Sequence, residues 1–184
     1  MSADLAAKGR AILETLVGFD TTSRLSNLAL IEWVEEYLSG FGITGRRVPN
    51  ADGTKANFYV TVGPDVEGGV ILSGHSDVVP VDGQDWSSDP WIVREEAGKL
   101  FGRGVADMKG FIALALACVP RFVAGRLPVH LALSYDEEVG CLGARALVAE
   151  MSGWDIRPAL AIIGEPTSMR VIDGHKGCCE YTTS

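Results

Sequence analysis

Hydrophobic positions in the first forty residues recur at the spacing of an α-helix, in two separate stretches. Residues 20–23 lie between the stretches, and their Asp, Thr and Ser side chains are typical of turns and helix caps. We therefore predict two amphipathic helices joined by a short turn. The apolar positions are Leu5, Ile12, Leu13, Leu16 and Val17 in the first helix, and Ile31, Val34, Leu38 and Phe41 in the second.

The rest of the chain alternates short apolar runs with longer helical patterns. Such alternation is typical of an α/β domain with a largely parallel sheet. A polar stretch over residues 80–90 predicts a surface loop, and residues 91–101 predict two short strands around Gly98. We predict further strands at 56–62, 69–73, 129–134 and 160–163, weaker ones at 170–172 and 178–183, and helices at 108–124, bent near Pro120, and at 142–151.

Composition indicates one folded domain and excludes several kinds of partner. The 184 residues are 47% hydrophobic and 22% charged, which is ordinary for a globular domain. A net charge of -8 disfavours nucleic acid and anionic membranes as partners. The longest apolar run, residues 111–119, is too short to span a bilayer, and we expect a cytoplasmic protein. The four cysteines have neither zinc-finger nor redox spacing, which favours reduced thiols.

Acidic residues follow three of the predicted apolar strands, each at the point where the strand ends. The carboxyl ends of strands in an open α/β sheet form the crevice in which ligands bind. A further acid lies in the turn that begins Gly-Arg-Gly at residue 102, just before the long helix. We therefore expect six side chains to share one cleft, namely His75, Asp77, Asp107, Glu137, Glu138 and Glu165.

This set of side chains predicts a divalent metal site. Carboxylates that converge in one cleft repel one another, and bound cations remove that repulsion. An imidazole among carboxylates suits zinc, cobalt or manganese better than calcium, which prefers oxygen ligands. Asp77, two residues after His75, could orient the imidazole. Because the side chains of Glu137 and Glu138 diverge, we expect one to bind metal and the other to face the water.

Each motif also has a simpler interpretation when taken alone. Residues 136–138 could form a solvated turn, Glu165 could begin a loop, and Asp107 could cap the long helix. What favours a metal site is that three successive strands end in the same way. The other candidates give weaker evidence for a functional site. His130 is interpreted as a packed or surface residue, Cys141 as structural, and His175 is ambiguous. Residues 102–104 lack a dinucleotide fingerprint.

Four motifs in this order resemble those of the acetylornithine deacetylase and succinyl-diaminopimelate desuccinylase family, which also contains aminoacylases and zinc carboxypeptidases. The resemblance implies an incomplete zinc-exopeptidase-like domain, with a mixed, largely parallel sheet and helices on both faces. The motifs are Ser-Gly-His-Ser-Asp-Val-Val-Pro at 73–80, Gly-Arg-Gly at 102–104 with Asp-Met-Lys-Gly at 107–110, Asp-Glu-Glu at 136–138, and Gly-Glu-Pro-Thr at 164–167.

The resemblance also implies a two-metal amidohydrolase, with two divalent ions, Zn²⁺ or alternatively Co²⁺. It further implies a cis peptide bond after Asp107, although such a bond costs about 3 kcal/mol at a residue other than proline. The implied roles are Asp107 as the ligand shared by both ions, His75 and Glu165 as ligands of one ion, Glu138 as a ligand of the other, Glu137 as the general base, and Asp77 as the residue that holds the imidazole.

The chain departs from the family pattern in length. Family members take a further histidine ligand and a dimerisation domain from later residues. We therefore expect residues 1–184 to be the amino-terminal part of the catalytic domain, inactive alone and under-ligated at the second ion, and the full-length protein to be a homodimer.

The finer resemblance is to enzymes that hydrolyse N-acetylornithine to ornithine and acetate in arginine biosynthesis. The small-molecule substrate expected is accordingly an N-acyl amino acid. The alternatives are another N-acyl-amino-acid, succinyl-diaminopimelate or peptide hydrolase of the same family, or a catalytically silent metal-binding module.

Overall fold

A computed structural model describes residues 2–154, 157–174 and 177 of the chain. Within these residues helices and strands follow one another nearly as the hydrophobic pattern predicts. The helices are α1 (Ala3–Val17), α2 (Leu28–Ser39), α3 (Gly110–Ala117), α4 (Val119–Val123) and α5 (Leu142–Met151). The strands are β1 (Arg46–Pro49), β2 (Ala56–Val62), β3 (Val70–His75), β4 (Arg94–Glu96), β5 (Lys99–Phe101), β6 (Val129–Ser134) and β7 (Leu160–Ile163).

Five strands form a mixed sheet in the order β1-β2-β6-β3-β7, which confirms the predicted α/β class with a mixed sheet. Two of its four strand pairings are parallel and two antiparallel, so the sheet is less parallel than predicted. Strand β3 pairs in parallel with β6 and β7, whereas β2 pairs antiparallel with β1 and β6. The parallel part contains the strands that alternate with helices along the chain. Its register places His75 opposite Ser134, so the chain leaves β3 and β6 at the same edge. That edge is where the predicted site residues follow.

Strand β1 was not predicted, and one weak strand signal was wrong. Residues 46–49 carry two arginines and a proline, which hide the alternation of a strand but are tolerated at a sheet edge. Residues 170–172 form no strand. The other weak signal, residues 178–183, lies outside the described residues.

Helices cover both faces of the sheet. Phe58 and Leu131 face a core made with α1, α2 and α3, whereas their neighbours Tyr59 and Ala132 face Leu147 of α5 on the opposite side. This is the period of two expected when both faces of a strand are buried. In the described part of the chain, no helix combines the length and the apolar character that crossing a membrane requires.

The predicted long helix over 108–124 is two helices. Helix α3 begins at Gly110 because residues 105–109 form a tight turn, in which Asp107 and Met108 have non-helical backbone angles. Gly104 enters this turn with φ 78°, and a Cβ there would come within 2.8 Å of Val78. The predicted bend is confirmed, since Pro120 occupies the first turn of α4.

Asn27 joins α2 to the sheet below the site, and we expect it to contribute strongly to stability. Its buried amide donates to the Ala56 carbonyl and to Ser76 Oγ, both at 2.8 Å, and accepts from the Ala56 N–H at 3.0 Å. Asn27→Ala would leave buried Ala56 groups without partners, so we expect a loss of about 3 kcal/mol in the free energy of unfolding. The measurement is urea unfolding followed by circular dichroism.

A matched substitution separates this effect from the loss of any asparagine. Asn50 also bonds a backbone N–H, that of Lys55 at 2.9 Å, but in a surface turn. We expect Asn50→Ala to cost less than about 1 kcal/mol, because water can replace the side chain there. Equal losses in the two variants would show that burial does not set the contribution of Asn27.

Candidate metal centre

His75, the last residue of β3, lies at the centre of the acidic cluster. Its side chain is only 1% exposed, and its Nε2 atom is 2.9 Å from Asp107 Oδ1. The same nitrogen is 3.8 Å from Glu137 Oε2 and 3.8 Å from Glu165 Oε1. Three separate segments, after β6, after β7 and before α3, thus converge on one imidazole.

Two groups of potential ligands share His75. Ligand atoms of His75, Asp107 and Glu165 lie within 4.8 Å of one another, and so do those of His75, Glu137 and Glu138. Both groups combine an imidazole nitrogen with carboxylate oxygens, the donor set expected for zinc or another transition metal. The residues present therefore fit a divalent ion, and the structure brings together all the ligands that the sequence predicts.

Asp77 holds the site together through more than the imidazole. His75 Nδ1 lies 2.9 Å from the Asp77 carbonyl oxygen but 3.5 Å from the Asp77 carboxylate, so the backbone is the closer partner. The carboxylate instead accepts the N–H groups of Glu137 at 3.0 Å and Glu138 at 3.3 Å. Through these hydrogen bonds Asp77 links the end of β3 to the turn that contains Glu137 and Glu138.

The expectation that Glu137 and Glu138 diverge is not met. An oxygen of each lies near His75, because they leave a turn and not an extended strand. Asp136 begins this turn in the left-handed region, with φ 54°, and its carboxylate pairs with Lys55 Nζ at 2.6 Å. The turn closes through N–H bonds from Gly140 and Cys141 to the Glu137 carbonyl.

Asp107 does not cap a helix, which removes the simpler interpretation of that residue. Helix α3 begins three residues later, its capping position is Lys109, and no side chain bonds its first turn. The Asp107 carboxylate is directed to His75 instead. The peptide bond between Asp107 and Met108 is cis, as the resemblance implies.

The pKa values at the site reflect a surplus of negative charge. Burial by itself would lower the pKa of His75, but hydrogen bonds and charge from Asp77, together with Asp107, raise it to about 10. Burial raises the pKa of Glu138 and of Glu165, and repulsion from Asp107 raises both further. A divalent cation would relieve this repulsion.

The sequence analysis assigned no role at the site to Ser23 or Lys109. Ser23 Oγ donates to Asp77 Oδ2 at 2.7 Å, although residues 20–23 read only as a turn. Lys109 is fully buried, and its Nζ donates to the Phe19 carbonyl at 2.7 Å. Burial lowers the pKa of Lys109 to about 7, although the negative charges of Asp20 and Asp77 act to raise it. The position of Lys109, two residues after Asp107, was the sequence feature that could have indicated a place near the site.

Of the remaining candidates, His130 lies apart from the cluster, Cys141 contacts Glu137 of the cluster, and His175 lies outside the described residues. His130 is packed as expected, with Nδ1 2.8 Å from Tyr59 Oη and Nε2 3.1 Å from the Gly68 carbonyl oxygen. His175 is outside the described residues. Cys141 is exposed, with its thiol 3.5 Å from Glu137 Oε1.

Metal affinity should rise with pH, because an ion must displace a proton from His75. With a His75 pKa of about 10, the metal-free imidazole is protonated at neutral pH. We expect the apparent affinity for Zn²⁺ to rise about tenfold per pH unit between about pH 6 and pH 9, the slope for one displaced proton. Calorimetric titrations in buffers of different ionisation enthalpy measure both the affinity and the proton release. An affinity that is independent of pH would contradict this prediction.

Curated relatives match most of this chain. It is 40% identical over 166 residues to the acetylornithine deacetylase of Pasteurella multocida (strain Pm70), which covers 89% of this chain and 42% of that protein. It is 41% identical over 162 residues to the acetylornithine deacetylase of Proteus mirabilis (strain HI4320), covering 86% of this chain and 41% of that protein. The chain thus spans less than half the length of these relatives.

Solved structures share the fold at lower identity. Human carnosine dipeptidase 1 matches 86% of this chain and 39% of its own, with a TM-score of 0.71 and 23% identity. The M20 family metallo-carboxypeptidase Sso-CP2 from Sulfolobus solfataricus matches 89% of this chain and 37% of its own, with a TM-score of 0.68 and 19% identity. The model of peptidase family M20/M25/M40 matches residues 71–179, which include His75 and the carboxylates around it. The chain belongs to peptidase family M20/M25/M40.

Proposed function

We propose that this chain supplies the metal-binding core of an amide hydrolase that removes the acetyl group from N-acetylornithine. The observation that carries the proposal is the convergence of four carboxylates, from Asp107, Glu137, Glu138 and Glu165, on the buried His75. Membership of a peptidase family supports hydrolysis of an amide bond. The relatives named acetylornithine deacetylase support the choice of substrate.

Two divalent ions, with zinc as the first choice and cobalt as the alternative, would be held by residues of this cluster. His75 and Glu165 would hold one ion, Glu138 the other, and Asp107 both. When bound, such ions supply Lewis-acid polarisation of a carbonyl group and lower the pKa of water. Asp77 would hold the imidazole of His75 through its carbonyl oxygen, 2.9 Å from Nδ1. The other nitrogen, Nε2, already faces the carboxylates.

Glu137 would act as the general base and then as the general acid. Its carboxylate is partly exposed and lies at the rim of the cluster, 3.8 Å from His75 Nε2, where it can reach both water and a substrate amide. It would take a proton from the attacking water and return it to the departing amine. The Asp77 carboxylate, which accepts the Glu137 N–H, would fix the position from which Glu137 acts.

The direct test is acetate release by the full-length protein that contains this chain. We expect metal-dependent hydrolysis of N-acetylornithine that is lost with a chelator and restored by Zn²⁺ or Co²⁺. Parallel assays with succinyl-diaminopimelate, other N-acyl amino acids and dipeptides decide among the family's substrates. If none of these is cleaved although Zn²⁺ is bound, a catalytically silent metal-binding module is the better interpretation. Homodimerisation and a cytoplasmic location stay predictions.

A further inference from the structure

A lysine that directly precedes β2 contacts the turn between β6 and α5, which contributes two glutamates to the candidate metal centre. Strand β2 pairs antiparallel with β6, with Phe58 opposite Leu133, and the same register continued by three residues brings Lys55 opposite Asp136. Lys55 Nζ donates to Asp136 Oδ1 at 2.6 Å. Both side chains are only 13% exposed, so the ion pair is largely shielded from water and salt.

The same ammonium group joins this turn to the segment before α2. Lys55 Nζ also donates to the Ser23 carbonyl oxygen. Ser23 Oγ in turn donates to the Asp77 carboxylate, which accepts the backbone N–H groups of both glutamates in the turn. The turn is therefore held at two points, by Lys55 through the Asp136 carboxylate and by Asp77 through the backbone. Because Ser23 connects Lys55 to Asp77, these contacts form a closed ring.

Asp136 is the residue at which Lys55 acts on the direction of the turn. Its backbone lies in the left-handed region, with φ 54°, where aspartate and asparagine are tolerated better than most residues. The Leu142 N–H donates to the Asp136 carbonyl at 3.0 Å, so the two ends of the turn are joined. A shift of Asp136 would therefore move the whole turn, including both glutamates.

We infer that Lys55 is a positioning residue that keeps the Glu138 carboxylate where it can bind a divalent ion. The inference rests on the proposed function, which makes Glu138 a ligand of one ion. Charge alone predicts the opposite effect, because removal of a positive charge near a metal site strengthens binding of a cation. A loss of metal affinity without Lys55 would therefore report the position of the turn and not the lost charge.

The test is stepwise binding of Zn²⁺ by the full-length protein, measured over a series of chelator-buffered Zn²⁺ concentrations. Glu165→Gln identifies the step of the ion that Glu165 binds, so the other step belongs to the ion proposed for Glu138. We expect Lys55→Met to weaken the Glu138 step about 10- to 100-fold, the range typical of residues that orient a ligand. The Glu165 step should change by less than about threefold.

Two variants of the same residue make this result specific. Lys55→Arg keeps a cation with several N–H donors, so it should restore part of the lost affinity. Lys55→Gln keeps a donor but no charge, and it tests the inference if Lys55→Met does not fold. Zinc binding at the Glu138 step should be weaker in Lys55→Gln, whereas charge alone predicts that it becomes stronger.

A double-mutant cycle assigns the loss to the ion pair. Asp136→Asn removes the charge that Lys55 contacts but keeps the size of the side chain and a residue type suited to left-handed backbone. We expect it to weaken the same step. The double variant with Lys55→Met should lose no more than about twofold beyond the weaker-binding single variant, because both substitutions remove one interaction.

The matched control is Arg47→Met, which removes another partly buried cation. Arg47 Nε donates to Glu35 Oε1 at 2.8 Å and joins β1 to α2, away from the metal cluster. We expect this substitution to change neither zinc step, whatever its effect on thermal stability.

Unchanged or stronger zinc binding in Lys55→Met, or an equal loss at both steps, would overturn the inference and leave Lys55 with a structural role. Losses that add in full in the double variant would also overturn it. The proposed function is tested separately, by acetate release. A Glu138 step that depends on Lys55, in a protein that does not cleave N-acetylornithine, would sustain the inference and reject that substrate.

Discussion

Glu137→Gln in the full-length protein should lower kcat roughly 100- to 10,000-fold, the usual contribution of a general base. Glutamine keeps the size of the side chain but cannot take a proton from water. The Glu137 N–H bond to Asp77 involves only the backbone, so the turn should survive the substitution. Because Glu137 would transfer protons and would not be a principal ligand of either metal ion, we expect KM and metal content to change little. The measurement is steady-state acetate release at saturating metal, with zinc content measured in parallel.

Glu36→Gln is the matched control, because Glu36 is an exposed residue of α2 away from the cluster. We expect its kcat to equal that of the unsubstituted protein. If Glu137→Gln kept more than about a tenth of the activity, the general-base assignment would be wrong. A large fall in zinc content would instead assign Glu137 a role in binding metal, a result that its position beside His75 and Glu138 makes worth measuring.

Asp107→Asn should have the largest effect on metal binding. We expect affinity for Zn²⁺ to fall by more than roughly 100-fold, beyond the 10- to 100-fold typical of residues that only orient a ligand. Asp107 is the carboxylate closest to His75 Nε2, at 2.9 Å, and the proposed function gives it contacts to both ions. Asp107 also favours the protonated form of His75, whose pKa it helps to raise, so we expect the metal-free variant to be somewhat less stable at neutral pH. Zinc titration against a competing chelator, with thermal unfolding of the metal-free protein, measures both quantities.

Two further variants make this result specific. Asp77→Asn, which changes a residue proposed only to hold His75 and the glutamate turn, should lose affinity within the 10- to 100-fold range. Asp65→Asn, on an exposed loop, should lose none. If Asp107→Asn bound zinc no more weakly than Asp77→Asn, Asp107 would not be the shared ligand.

Much of the sheet and the edge at which the site forms could be predicted from local pattern. The strands predicted at 69–73, 129–134 and 160–163 correspond to β3, β6 and β7, and these strands are parallel neighbours. Parallel strands release the chain at the same edge, so residues that follow them are neighbours whatever the details of packing. Strand β1 escaped because its pairing with β2 is determined by contact with a partner and not by its own composition.

The sequence by itself determined which side chains would meet: one histidine and the acids that follow the strand ends. It could do so because the local order of apolar and polar residues predicts where each helix and strand lies and which of its positions are buried. Only the tertiary structure decided what each of them contacts. Asp107 turns to His75, 32 residues away, instead of capping α3, and the Asp77 carboxylate binds Ser23, 54 residues away, and the backbone after β6. Such contacts depend on how segments far apart in the sequence pack against each other. The local order of apolar and polar residues holds no information about that packing.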